Sequence, residues 1–135
     1  MAFAELAVGQ SAELTRTLTE SDVMTFATLT GDFNPVHVDE ASAAASPFGG
    51  RIVHGMLTAS LFSTLLAMQL PGLGAIYLSQ SVQFLRPVKL GDTVTARVEI
   101  TAIDAPKQRI TLATTIRNAR GKIVVDGEAV VQVPG

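Results

Sequence analysis

Between Leu29 and Asp39 the chain reads LTGDFNPVHVD, which sets two carboxylates, an amide, a proline and one of only two histidines into eleven positions. In a chain of 135 residues that is 47% hydrophobic and 16% charged, such a concentration either caps helices or does chemistry. Pro35 fixes its own φ and pushes Asn34 into extended backbone, so the stretch is expected to be a stiff bend and not a helix. A bend brings ends together, and it would turn Asp32 and His37 toward a common spot. A carboxyl and an imidazole facing one point make a proton-transfer pair.

A second polar island, RIVHGM (Arg51 to Met56), puts His54 and Gly55 at the head of the most apolar segment of the chain. A helix that begins there leaves its first amides unpaired under partial positive charge, an arrangement that suits a developing oxyanion. Taken singly, each residue also has a structural reading: Asp32 caps an N–H, Asn34 makes an Asx-turn, and His37 is a satisfied core histidine. Two islands that complement each other favour chemistry. Asp32, His37, Asp39 and His54 can be drawn as a metal set, but Asp39 is better explained as a helix cap, so no metal is expected. Ser60 and Ser63 lie outside any G-x-S-x-G elbow. GLG (Gly72 to Gly74) precedes a strand instead of following one, the reverse of a dinucleotide fingerprint.

The elements that must hold these residues are legible from pattern. A short extended segment is expected near Ala7 to Leu14. TESD (Thr19 to Asp22) is a capping box opening a helix whose inner face carries Val23, Phe26 and Ala27, and which Gly31 ends. Asp39 should cap a second short helix to Ser46. From about Gly55 to Leu70 runs a long helix, roughly 24 Å at 1.5 Å per residue, and its lack of charge on any face predicts burial nearly all round. From Ala75 four runs alternate with period two: Ala75 to Leu90, Asp92 to Ile103, Gln108 to Ala119 and Lys122 to Val133. The connections between them are short enough for antiparallel neighbours. A curved antiparallel sheet wrapped round one apolar helix buries both, which makes the fold α+β of the hotdog type. One domain, residues 1–135, is expected at this length.

The formal net charge of −2 argues against nucleic acid, which calls for clustered cations. Residues 1–50 hold seven acids against Arg16 alone, while eight of the ten bases fall between Arg86 and Lys122. That basic half reads as solvated strand faces or as the dock of a phosphate-bearing ligand. The apolar core GMLTASLFSTLLAMQL, sixteen residues with five polar ones ending at Pro71, is too short to span a bilayer. No membrane is therefore expected. Without cysteine or a basic, apolar leader, a cytoplasmic location is expected.

FATLTGDFNPVHVDEASAAASPF (Phe26 to Phe48), followed by GGRIVHGMLTASLFS, resembles the signature of the (R)-specific enoyl-CoA hydratases of the MaoC-like hotdog group. Its G-D-x-N-P-x-H core is the specific part, and the likeness runs the length of the chain. The resemblance implies an acyl-CoA substrate, a homodimer, and reversible addition of water to a trans-2-enoyl thioester to give the (R)-3-hydroxyacyl-CoA. It assigns Asp32 and His37 as the catalytic acid/base pair and the Gly55 amide as donor to the thioester carbonyl. Asn34 falls at a supporting position and Ser63 at a polar position beside the site. No cofactor is implied, since CoA belongs to the substrate.

Around that assignment, His54 and Met56 at the helix entry are expected to touch substrate, and Met56, Ser60, Ser63 and Ala67 form a stripe at helical spacing that would floor an acyl channel. Arg51, Arg86 and Lys89 are candidates for the CoA phosphates. Long open sheet edges argue for a dimer, with each site drawing on both subunits. The rivals are a hotdog acyl-CoA thioesterase and a non-catalytic acyl-binding subunit; fold alone would not separate them. The Asp/Asn/His bend argues for hydration over thioester hydrolysis, and a mere binder has no need of a paired acid and base.

Overall fold

The computed structural model describes residues 1–134. After a 3₁₀ turn at Phe3–Glu5 comes strand β1 (Ser11–Thr17), then helices α1 (Glu20–Thr30), α2 (Pro35–Val38), α3 (Glu40–Ala44) and α4 (Gly55–Met68). Strands β2 (Ile76–Phe84), β3 (Thr93–Asp104), β4 (Arg109–Asn118) and β5 (Ile123–Gln132) complete the chain.

The capping box at α1 forms: Asp22 N–H donates to the Thr19 hydroxyl at 3.2 Å and Thr19 N–H to the Asp22 carboxylate at 3.0 Å. These bonds, the main-chain one foremost, hold the Asp22 carboxyl below its ordinary value. Gly31 closes the helix at φ +81°, a left-handed conformation in which a side chain is strained. Asp39 caps α3 through Ala41 N–H at 3.1 Å, and its carboxyl is lowered chiefly by the Ser42 hydroxyl.

Several expectations need correction. The first strand lies later than Ala7 to Leu14, because a turn through the positive-φ Gly9 comes first. The bend expected at Asp32 to His37 winds, from Pro35 on, into the single turn α2. Proline has no N–H to lose at that position and its fixed φ suits a helix entry. α3 ends two residues before Ser46.

The central helix α4 buries Thr58, Ala59, Leu61, Phe62, Leu65 and Leu66. It is not covered all round. Met56 is 60% and Met68 63% exposed, and Ser60, Ser63 and Thr64 are open on the same side. Absence of charge marked an apolar helix, yet one face stays open in the chain.

The five-stranded sheet is antiparallel throughout, in the order β1-β3-β4-β5-β2. Inward residues of β3 (Val94, Ala96, Val98, Ile100) and β4 (Ile110, Leu112, Ile116) are buried in one apolar cluster with Phe62, Leu65 and Leu66 of α4. Despite the short connection, β2 does not neighbour β3; it pairs with β5 at the far edge. The run expected to continue to Leu90 stops at Phe84, because Pro87 lacks a ladder donor and the chain leaves to cross the sheet. On the way Val88 accepts from Val53 N–H at 2.7 Å and Lys89 bridges Ile52, which ties the crossover to the segment before α4.

Pairing of β2 with β5 depends on Gly127, where a Cβ would stand 1.8 Å from the Ser81 carbonyl oxygen. The chain ends rest on the loop after α4. The Met1 amine donates to Pro71 O at 2.7 Å, and Pro134 Cγ lies 3.2 Å from where a Gly74 Cβ would be.

Candidate active site

Gly31 turns the chain out of α1 directly into Asp32. The Asp32 carboxylate accepts from Asn34 N–H at 3.2 Å, and the Asn34 side chain accepts from Val36 N–H at 3.3 Å as the cap of α2. Asn34 thus does local work, setting the one turn on which His37 stands. Structural and chemical readings of this stretch hold together, since the same bonds that cap the turn aim its side chains.

His37 Nδ1 lies 2.8 Å from Ile52 O. A carbonyl oxygen only accepts, so Nδ1 carries a proton, and in the neutral ring Nε2 then keeps a lone pair. By the same reasoning His54, whose Nε2 is 3.0 Å from Asp32 O, carries its proton on Nε2. The two rings stack with centroids 3.9 Å apart. Asp32, His37 and His54 each bring a carboxylate or ring-nitrogen atom within 4.8 Å of the others. As metal ligands they are poorly disposed: imidazole lone pairs lie in the ring plane, and near-parallel planes at 27° do not converge on one ion.

Asp32 and His37 open onto a cavity of about 620 Å³, also lined by Phe26, Gly55, Met56, Phe84 and Arg86. Such a volume fits a small-molecule site with few polar groups. Gly55 is the first residue of α4, so its amide and those of Met56 and Leu57 have no partner one turn back. The cap residue His54 makes no side-chain cap bond to them. A Cβ at Gly55 would meet the Phe84 ring at 2.8 Å, so glycine lets that ring close over the helix entry.

The remaining expected residues separate. Arg51 is not free for a CoA phosphate: its side chain is 10% exposed, with Nε donating to His37 O at 2.7 Å and Nη1 to Glu20 at 3.0 Å. Arg86 is exposed beside the cavity, although Nη1 donates to Ile123 O at 2.7 Å. Lys89 lines a different, polar pocket with Arg120. Ser63 and Ser60 border a third cavity of about 360 Å³ between α4 and β2, which Met56 connects with the main one. Ala67 borders neither. On that cavity's far wall the Tyr77 hydroxyl donates to Gln80, and burial pushes the phenol up to about 12. His54, expected to touch substrate, does border the main cavity but is only 2% exposed.

Sequence reasoning missed Phe84 and the crossover residues Leu85 and Pro87 as cavity walls. Phe26 carried a signal, its helical spacing with Val23. Phe84 carried none, because its place depends on the pairing of β2 with β5.

Residues 4–121 match the MaoC like domain. The chain is 52% identical to an (R)-specific enoyl-CoA hydratase of Aeromonas caviae over 99% of its own length and 100% of the relative's. It is 48% identical to an (R)-specific enoyl-CoA hydratase of Rhodospirillum rubrum, covering 98% of this chain and 91% of that one. The solved structure of an (R)-hydratase from A. caviae involved in PHA biosynthesis superposes with a TM-score of 0.94 at 52% identity, covering 96% of this chain and 98% of the other.

Proposed function

Because the chain belongs to the MaoC-like domain family, we propose that it is an (R)-specific enoyl-CoA hydratase, a hydro-lyase adding water reversibly to trans-2-enoyl-CoA. The observation that carries the reading is the convergence of Asp32 and His37 on one cavity whose wall includes the unpaired amide of Gly55.

His37, protonated on Nδ1, takes a proton from water through Nε2 as the water oxygen bonds to C3 of the substrate. The ionised Asp32 carboxylate accepts the other hydrogen and orients the attack. Electron density from the C2=C3 bond moves to the thioester oxygen, where the Gly55 amide stabilises the enolate. Collapse of the enolate takes a proton to C2 from the Asp32/His37 pair, which ends the cycle as it began. Positioned acid–base groups contribute about 10² to 10⁴ in rate, and one oxyanion donor about 10² to 10³. No cofactor is needed for any of these steps.

Exposed Ile76 and Leu78 on the free edge of β2, beside exposed Met56 and Met68, support a homodimer joined along that edge. Each site then borrows from both subunits. No helix among the described residues is long and apolar enough to cross a membrane. A cytoplasmic location, supported by a chain without cysteine, completes the proposal.

The test is to supply purified protein with crotonyl-CoA. Expected are loss of the conjugated ultraviolet absorbance and formation of the (R)-3-hydroxy product. Release of free CoA in its place would make the chain a thioesterase, and no turnover would make it a binder.

A further inference from the structure

His54 is the buried ionisable side chain for which the proposed reaction has no use. It is 2% exposed, its Nε2 reaches 3.0 Å back to the main-chain oxygen of Asp32, and its ring face lies against that of His37. Phe26 packs on it at a centroid distance of 4.7 Å. Its Nδ1 is buried with no hydrogen-bond partner. A buried acceptor left without a donor is destabilising, and an apolar side chain of similar size would fill the space without that cost. At the cap position of α4, Ser, Thr, Asn or Asp would bind the first amides. His54 leaves them bare.

We propose that His54 is a positioning residue for the hydration reaction, an inference that rests on the hydratase reading and deepens it. Three relations meet in one ring. The Nε2–H pins the carbonyl of Asp32 and so fixes the backbone from which the carboxylate projects. The ring face holds the plane of His37, keeping its Nδ1–H on Ile52 O and its Nε2 lone pair available. The absence of a side-chain cap leaves the Met56 and Leu57 amides bare beside that of Gly55, so the helix entry keeps its partial positive charge for the thioester oxygen. Acid, base and the charge at the helix entry are therefore set by one side chain that touches no reacting atom.

The chain has only two histidines, so imidazole nitrogen NMR is read residue by residue. In the wild type, His37 should carry its proton on Nδ1 and His54 on Nε2. His54→Phe keeps an aromatic face and removes the donor; His54→Gln keeps a donor near the Nε2 position and removes the face. Each should lower kcat for crotonyl-CoA about 10- to 100-fold, with KM changed less than about twofold. His37 should keep its single tautomer in His54→Phe and lose it in His54→Gln. Unchanged kcat in both variants, a loss confined to KM, or a wild-type His54 protonated on Nδ1 would overturn the proposal. If His54→Phe does not fold, His54→Gln decides the matter by its tautomer and its kcat against KM. Failure of the wild type to hydrate crotonyl-CoA would sink the hydratase reading, while the wild-type tautomers would still decide the clamp.

Discussion

Asp32 and His37 stand five positions apart and meet through bonds that are local in the chain: Asp32 to Asn34 N–H, Asn34 to Val36 N–H, then one turn of helix. Asp32→Asn and His37→Gln should each lower kcat at least about 10²-fold while thermal unfolding stays near wild type, because Asp32 is exposed and His37 half-buried. Hydration rates alongside circular-dichroism melts check this, and a rate within tenfold of wild type in either variant would retire the pair. Locality is why this part of the site was legible: a proline, an amide and two titratable groups in one short run constrain each other. Arg51 was not legible. Its partners Glu20 and Met24 lie 31 and 27 residues away, so nothing near it separates a phosphate contact from a brace on the His37 carbonyl. Arg51→Met should therefore lower kcat and stability, the latter by about 1–3 kcal/mol for the lost charged hydrogen bonds. Arg86→Met, at the cavity's edge, should instead raise KM for CoA thioesters; steady-state kinetics of the two variants separate the roles.

At the level of elements, alternation and caps located the strands and helices because those signals report what each segment buries. Which strand lies beside which is a different quantity. The short link after β2 argued for a hairpin with β3, whereas β2 pairs with β5 and the link carries Pro87 across the sheet. Gly127 has the same origin: within VVDGEAVV it reads as an ordinary weak spot in a strand, and only the approach of Ser81 makes it obligatory. Gly127→Ala should cost about 3 kcal/mol, as overpacking against backbone that cannot swing aside. Chemical denaturation measures it, and hydrogen exchange should report the loss first in β2. Because Phe84 at the end of β2 closes over Gly55, the same variant should also raise KM.

Across the whole molecule, the uncharged face that α4 leaves open, with Ser60, Ser63 and Thr64 between Met56 and Met68, lies beside the free edge of β2, and absence of charge along α4 therefore overstated its burial. Ile76→Lys, at a 55% exposed edge position, should leave the fold intact and shift the protein toward monomer in sedimentation velocity, with activity falling in parallel. Full activity in a monomer would contradict shared sites. The contacts of Met1 and Pro134 with the loop after α4 bear on how the chain is strung. The glycines they approach, Gly72 and Gly74, are two residues apart, at most about 7 Å of backbone. Topologically residues 1–134 nearly close on themselves, so a circular permutant of that stretch, bridged there by a short linker and cut open at the β3–β4 hairpin, would keep every pairing of the sheet.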